Sequence, residues 1–360
     1  MSQKVVDAFA DSGLFWLFLP KDLGGGGVPF SEGLAVFEEI SRADGSTGWG
    51  SVANALSVVI AGALLTAEGF DKLYPDGEKS VIAGFGLPFG TGRKVDGGYI
   101  IQSKFMPFGS GTQHTTRVVC GVRVVDEDGE QVYFEDGQPD IRIAYPPTST
   151  VKFHGNWDVM GLKGTGSVDY EVPQQFIEDD FISTAGLPQR QDDIFRWGYM
   201  GATYFFHTSF ALGTLKRGFE EISRIVKGKR RGQLPVTLDE YGPFLYEFGK
   251  KEATYQAARA YAFHLIESFE KEIGETGALS ELSLTRMAQL SAWLHAIGGE
   301  LMDFCYLWAG SEPIRNSSAL GRAFRDFRVA QNHVFADPSM FADTAKPILA
   351  TWQNGTAGEA

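Results

Sequence analysis

Three short stretches of this 360-residue chain carry residue types that can do chemistry. The first is Trp157-Asp-Val-Met-Gly-Leu-Lys-Gly-Thr-Gly-Ser-Val-Asp-Tyr170. Gly161, Gly164 and Gly166 there open backbone conformations closed to other residues, and Thr165 and Ser167 put hydroxyls at the apex. Such a loop can bring N–H groups and hydroxyls to a flat polar ligand, or it is only a tight hairpin. The second stretch is Met106-Pro-Phe-Gly-Ser-Gly-Thr-Gln-His114. Phe108 offers a flat apolar face, Ser110 a hydroxyl, and Gly109 and Gly111 a close approach of backbone. The third runs from Ala309-Gly-Ser311 through Leu320-Gly-Arg322 and Arg325-Asp326 to His333. Its plainer reading is a helix end, a loop and an ion-paired helix.

Other chemistries find little footing. The six histidines are His114, His154, His207, His264, His295 and His333, and none forms an HxH, HExxH or carboxylate-bracketed pattern, so no metal site is expected. His207, His264 and His295 fall in helical stretches and read as packing or interface residues. No G-x-S-x-G elbow or Walker loop occurs. The run Gly24–Gly27 lacks the strand–turn–helix setting of a dinucleotide fingerprint. A net charge of −13 argues against a nucleic-acid groove. Two cysteines, Cys120 and Cys305, make no disulfide framework and fit a reducing cytoplasm. The apolar stretch Ala53–Leu65 is too short to span a bilayer and carries no basic leader, so a soluble intracellular protein is expected.

The elements that must position these residues divide into three parts: a helical segment 1–78, a β segment 79–184 and a helical segment 185–360. Val5, Phe9, Leu14 and Phe18 form one apolar face. Ser31 and Glu32 open a helix carrying Leu34, Phe37 and Ile40. Asp44-Gly-Ser-Thr-Gly-Trp49 is expected to end that helix and lead into the apolar one. From Val81 to Ser183 the period falls to two, with runs such as Tyr99–Gln102, Arg117–Val125, Gln131–Phe134, Ile141–Ala144 and Val168–Val172. Asp96-Gly97-Gly98 and Asp126-Glu-Asp-Gly129 read as hairpin turns, and the whole as a compact antiparallel domain. Beyond Phe195 the helical period returns. Leu290, Leu294, Ile297, Leu301, Phe304 and Trp308 step by four and three along one face, and Phe205–Lys227, Tyr241–Ile273 and Gly321–Phe335 also read as helices.

In this order the motifs resemble one superfamily. Phe18-Leu-Pro-Lys-Asp-Leu-Gly-Gly, Ser46-Thr-Gly-Trp49, Val95-Asp-Gly-Gly-Tyr99 and Gly161-Leu-Lys-Gly-Thr-Gly-Ser167 are similar to the acyl-CoA dehydrogenase superfamily. Phe108-Gly-Ser-Gly-Thr-Gln-His114 and Arg322-Ala-Phe-Arg-Asp326 followed by His333 resemble its group D two-component flavin monooxygenases. The resemblance implies a mainly α fold with a central antiparallel β domain and a C-terminal four-helix bundle, assembled as a homotetramer. It also implies reduced flavin, FMNH2 or FADH2, from a partner reductase, reaction with O2 through a flavin C4a-hydroperoxide, and oxygenation of an aromatic or heteroaromatic small molecule. Carried over residue by residue, Ser110 meets the flavin ring with Phe108 beside it and Gly111 in the same loop. Thr165 and Ser167 form the second flavin-side loop, which Trp157 leads into, and Arg325 belongs to the cofactor set. His333 serves as proton donor or acceptor with His114 behind it, and Trp49, Ser57 and Met106 wall the substrate pocket. No nucleic acid or membrane is implied.

Departures from the pattern bear on the reaction. Phenol-hydroxylating relatives carry a histidine several residues after Gly-Trp, a place that falls near Ser57, and Ala53–Leu65 has none. Met106 stands where an aromatic is usual, Arg117 displaces another, and the first family helix is short or missing. The alternatives are an FAD-dependent acyl-CoA dehydrogenase or a catalytically silent flavin-binding homologue. The dehydrogenase needs a glutamate base. Arg325-Asp326 is followed by no carboxylate before Asp337, although Glu247 or Glu252 on an earlier helix would serve.

Overall fold

The structure is a computed structural model that describes residues 1–74, 81–232 and 234–356. The expected boundary between residues 78 and 79 lies outside the described residues. Two compact units emerge: residues 1–28, 50–158 and 163–199 form one, and residues 29–49, 159–162 and 200–360 the other.

The first unit contains helix α1 (Gln3–Asp11), most of α3 (Gly45–Leu64), α4 (Ala67–Leu73) and a seven-stranded sheet. Its strands are β1 (Ile82–Val95), β2 (Gly98–Met106), β3 (Arg117–Val124), β4 (Ile141–Ala144), β5 (Lys152–Phe153), β6 (Tyr170–Glu178) and β7 (Ile182–Thr184), ordered β5-β6-β2-β1-β3-β4-β7. The sheet is mixed, which corrects the antiparallel expectation. β1 and β2 form a hairpin over Asp96-Gly97, with Val95 opposite Gly98. The chain then returns through Pro107–Thr116 to the other edge of β1, so β3 runs parallel to it. Two runs expected as strands differ. Gln131–Phe134 makes only isolated bridges, and β6 starts at Tyr170 because Val168 is held in the preceding loop by the Gly166 carbonyl.

Tyr170 locks the sheet beneath that loop. It is fully buried, donates to the Val119 carbonyl at 2.6 Å and accepts from Phe85 N–H at 2.9 Å. A buried phenol without such partners would cost about 1–3 kcal/mol. Phe15, Phe18, Leu19, Ile82, Val118 and Cys120 complete a core in which each large side chain contributes about 1.5–3 kcal/mol by burial.

The second unit holds α2 (Phe30–Ala43) and the first residues of α3, together with α5 (Gly198–Val226), α6 (Gly242–Thr276), α7 (Glu281–Ala309), α8 (Ala319–Ala330) and α9 (Met340–Gln353). α3 starts at Gly45, so Gly-Ser-Thr-Gly-Trp49 is helical rather than a break. The physical reason is capping: Asp44 Oδ1 accepts from Thr47 N–H and Thr47 Oγ1, both at 2.9 Å. The helix is therefore longer than the apolar stretch expected, at 20 residues, and long enough to cross a membrane by length and composition. Yet 72% of its most apolar window is buried inside the fold. On α7, Leu290, Leu294, Leu301 and Phe304 are buried as the spacing requires. α8 ends at Ala330, short of the expected Phe335, and a 3-10 turn at Val334–Ala336 precedes α9. Buried Glu38 on α2 ties to α6, accepting from Arg259 Nε at 2.7 Å and Tyr255 Oη at 3.2 Å.

Candidate functional site

In the first unit the two glycine-bearing stretches meet. Gly109 N–H donates to the Val168 carbonyl at 2.9 Å and Gly111 N–H to the Thr165 carbonyl at 3.1 Å. Between these bonds runs a line of hydroxyls, with Ser110 Oγ 2.6 Å from Ser167 Oγ and Ser167 Oγ 2.6 Å from Thr165 Oγ1. Thr165 and Ser167 are buried and Ser110 is half-buried, so Ser110 is the member nearest solvent. Gly166 is required at its place. Its φ is +57°, and a β-carbon would collide with the Gln113 amide. At Gly111, φ +72°, a β-carbon would lie 2.8 Å from Asn54 Oδ1.

Phe108 adopts φ 56°, a left-handed conformation costly for an aromatic residue. The turn holds it there, since Ser110 N–H donates to the Phe108 carbonyl at 2.7 Å. The result is a ring 56% exposed, edge-on to Trp157 with centroids 6.3 Å apart. A planar apolar face thus stands beside a line of hydroxyls.

His114 sits behind this loop. Its Nε2 is 2.9 Å from Asn54 Oδ1, while Asn54 Nδ2 donates to the carbonyls of Ile82 and Gly111. Since the amide NH2 is committed to two acceptors, Asn54 Oδ1 must accept and His114 must carry its proton on Nε2. Burial, with the chain's N-terminal ammonium adding to it, lowers the His114 pKa to about 4. Met106 is buried, its Sδ 4.0 Å from Cys120 Sγ, and Ser57 is half-buried on α3.

The second unit holds a different constellation. Trp49 packs edge-on against Phe206 at 4.4 Å, Phe210 at 5.1 Å, His207 at 5.4 Å and His333 at 5.7 Å. His207 lies 4.5 Å from His333 between ring centres, and its Nδ1 is 3.5 Å from His295 Nε2. His295 Nδ1 is 2.8 Å from the Ser291 carbonyl, and His333 Nδ1 accepts from Phe335 N–H at 3.3 Å. Burial pushes His295 and His333 down to about 4, His295 adding to the effect on His333, and holds His207 well below the ordinary range. All three are neutral imidazoles at pH 7.

Asp326, next to Arg325 on α8, accepts from Leu162 N–H at 2.6 Å through Oδ1. Its Oδ2 is buried without a hydrogen-bond partner, and burial pushes the carboxyl up to about 6. Arg325 is half-buried, and its carbonyl occupies the place a β-carbon on Gly161 would need. Among the described residues no group of three His, Cys, Asp or Glu side chains could hold a metal ion.

Three participants are barely marked in the sequence. His207 and His295 have the setting of packing residues, and 88 positions separate them. Asn54 lies inside an apolar helix, where the one usable signal is a polar amide among Val, Ala and Leu.

Comparison with known proteins supplies the family context. The acyl-CoA dehydrogenase N-terminal domain model matches residues 1–68 and the C-terminal domain model residues 205–338, together more than half of the chain. Indole-3-acetate monooxygenase of Pseudomonas putida is 25% identical over 93% of this chain and 84% of its own length. Flavin-dependent monooxygenase, oxygenase subunit HsaA, of Rhodococcus jostii is 27% identical over 92% of this chain and 87% of its own. XiaF from a Streptomyces species, solved in complex with FADH2 and glycerol, superposes with a TM-score of 0.85 at 18% identity, covering 96% of this chain and 88% of that one.

Proposed function

We propose that this chain, which belongs to the acyl-CoA dehydrogenase family, is the oxygenase component of a two-component flavin-dependent monooxygenase. The observation that carries the reading is the loop pair, in which Ser110, Ser167 and Thr165 are linked at 2.6 Å beside the exposed, left-handed Phe108. These residues suit a flavin: a flat ring needs an apolar platform, and its polar edge needs hydroxyls and close backbone. Phe108, Ser110, Gly111, Trp157, Thr165 and Ser167 would hold it. Arg325 is the cofactor-binding candidate on α8. When bound, reduced flavin, FMNH2 or FADH2, supplies the electrons that split O2 between an oxygenated product and water.

The protein's own part is to hold, orient and move protons. Ser110, the half-buried end of the hydroxyl line, presents an oxygen already oriented by Ser167. His333 Nδ1 accepts from Phe335 N–H, which leaves its own proton on Nε2, and the ring gives or takes a proton at the reacting oxygen. His114, fixed as the Nε2–H tautomer by Asn54, holds the Ser110 loop from behind. Trp49, Ser57 and Met106 are proposed to shape the pocket for an aromatic or heteroaromatic small molecule, the class to which indole-3-acetate, in the name of a relative, belongs.

A flavin reductase is the proposed partner. A homotetramer rests on the resemblance and on exposed apolar side chains of the helices, among them Leu245, Leu349 and Trp352. Cytoplasmic location is supported by two buried, unbridged cysteines. The division 1–78, 79–184 and 185–360 is likewise proposed, supported by helices before residue 74, strands from 82 to 184 and helices from 198. The test is turnover with a flavin reductase, NADH, FMN or FAD, and a panel of indoles and phenols. Oxygen-dependent hydroxylated product supports the proposal. Tight FAD reducible by an acyl-CoA thioester would replace it with the dehydrogenase.

A further inference from the structure

The three imidazoles of the second unit form a directed chain. Ser291 O can only accept, so the proton between it and His295 lies on His295 Nδ1. His295 Nε2 is then a lone pair, and His207 must carry its own proton on Nδ1 to meet it. That leaves His207 Nε2 as a lone pair. It is fully buried and has no hydrogen-bond partner among the described residues. A buried acceptor left unmet costs about 1–3 kcal/mol, and such a cost persists where it serves a second state.

A donor stands beside it. His333 is the ring nearest to His207 among its aromatic neighbours, and its proton is on Nε2 because its Nδ1 accepts from Phe335 N–H. That restraint is a single 3.3 Å bond at the start of a 3-10 turn. Trp49, Phe206 and Phe335 pack around the imidazoles.

We propose that His207 is a positioning residue for His333: its open Nε2 lone pair is the acceptor to which the His333 Nε2–H turns. The line then reads His333 Nε2–H to His207 Nε2, His207 Nδ1–H to His295 Nε2, and His295 Nδ1–H to Ser291 O. Every proton in it is accounted for and none is created. Turning frees His333 Nδ1 as a proton acceptor and gives the resulting imidazolium a fixed partner on its other nitrogen. Only the assignment of work to His333 rests on the monooxygenase reading; the hydrogen-bond line does not.

The test uses the full-length protein labelled with 15N-histidine, in which six histidines give few enough signals to assign. Nδ1–H tautomers are expected for His207 and His295. In His207→Phe, which keeps an aromatic ring and removes the acceptor, the His333 15N shifts should move and kcat should fall about tenfold with KM unchanged, a fraction of what a positioned proton-transfer group contributes. His207→Gln, which restores an acceptor, should recover much of both. If His207→Phe folds poorly, His295→Phe should shift His207 to the Nε2–H tautomer and move the His333 signal with it. Unchanged His333 shifts in whichever of these folds overturn the proposal. A moved His333 signal in a protein that oxygenates nothing supports the positioning role and counts against the monooxygenase reading alone.

Discussion

Ser110 Oγ and Ser167 Oγ lie 2.6 Å apart although 57 residues separate them, and Ser167 Oγ meets Thr165 Oγ1 at the same distance. Two loops that the chain makes far apart thereby become one wall. Removing the central hydroxyl leaves buried Thr165 without this partner and Ser110 without an orienting neighbour. Ser167→Ala should lower stability by about 1–2 kcal/mol and weaken reduced-flavin binding by about tenfold. Thermal melts and anaerobic titration of flavin fluorescence measure the two effects.

Gly166→Ala tests the backbone rather than the hydroxyls. At φ +57°, with Gln113 against the place of the new β-carbon, alanine meets both strain and a clash. A loss of about 1–3 kcal/mol is expected, and flavin affinity should fall with it. Gln113→Ala in the same background should relieve the clash and recover part of the stability, since the strain in φ remains.

The loop pair shows how much was legible in the sequence. Phe108-Gly-Ser110 and Gly164-Thr-Gly-Ser167 stood out because glycines beside hydroxyls and an aromatic make an unusual local composition. Local composition is what a sequence displays. The parallel β1–β3 pairing was not legible, because period-two alternation is the same whichever way the neighbouring strand runs. The helical turn at Gly45–Trp49 departs from the sequence expectation because Asp44 capping outweighs two glycines and a threonine. The histidine cluster was hidden for another reason. His207, His295 and His333 lie on separate elements of the helical unit, and each reads alone as a satisfied core residue.

Acid should destabilise the fold through its neutral histidines. His114, His295 and His333 are held near 4 and His207 well below the ordinary range, whereas an unfolded histidine titrates near about 6.5. Above about 6.5 neither state binds the proton and stability is full. As pH falls from there toward 4 the unfolded chain gains protons that the folded one refuses. Stability should drop by about 1.4 kcal/mol per pH unit for each histidine that stays neutral. Urea midpoints at pH 7, 6 and 5 measure the slope.

Asp326 has the opposite sign. Its carboxyl is raised to about 6 by burial, so the folded state holds a proton that the unfolded state releases near about 3.9. The stability this gives is present below 3.9 and lost as pH rises through 6. Asp326→Asn keeps the acceptor for Leu162 N–H and removes the buried charge. The variant should be more stable than the parent at pH 7 by about 1 kcal/mol, with the advantage gone by pH 4.

The central claim is that this protein manages the reaction of reduced flavin with O2, and stopped-flow mixing tests it without knowledge of the substrate. Flavin reduced under anaerobic conditions is premixed with the protein and then mixed with oxygenated buffer while the spectrum is followed. The expected result is a near-ultraviolet-absorbing stage that outlasts the reoxidation of free flavin and shortens in Ser167→Ala. Return of the oxidised spectrum at the rate of free flavin, with no such stage and no effect of the substitution, would contradict the account.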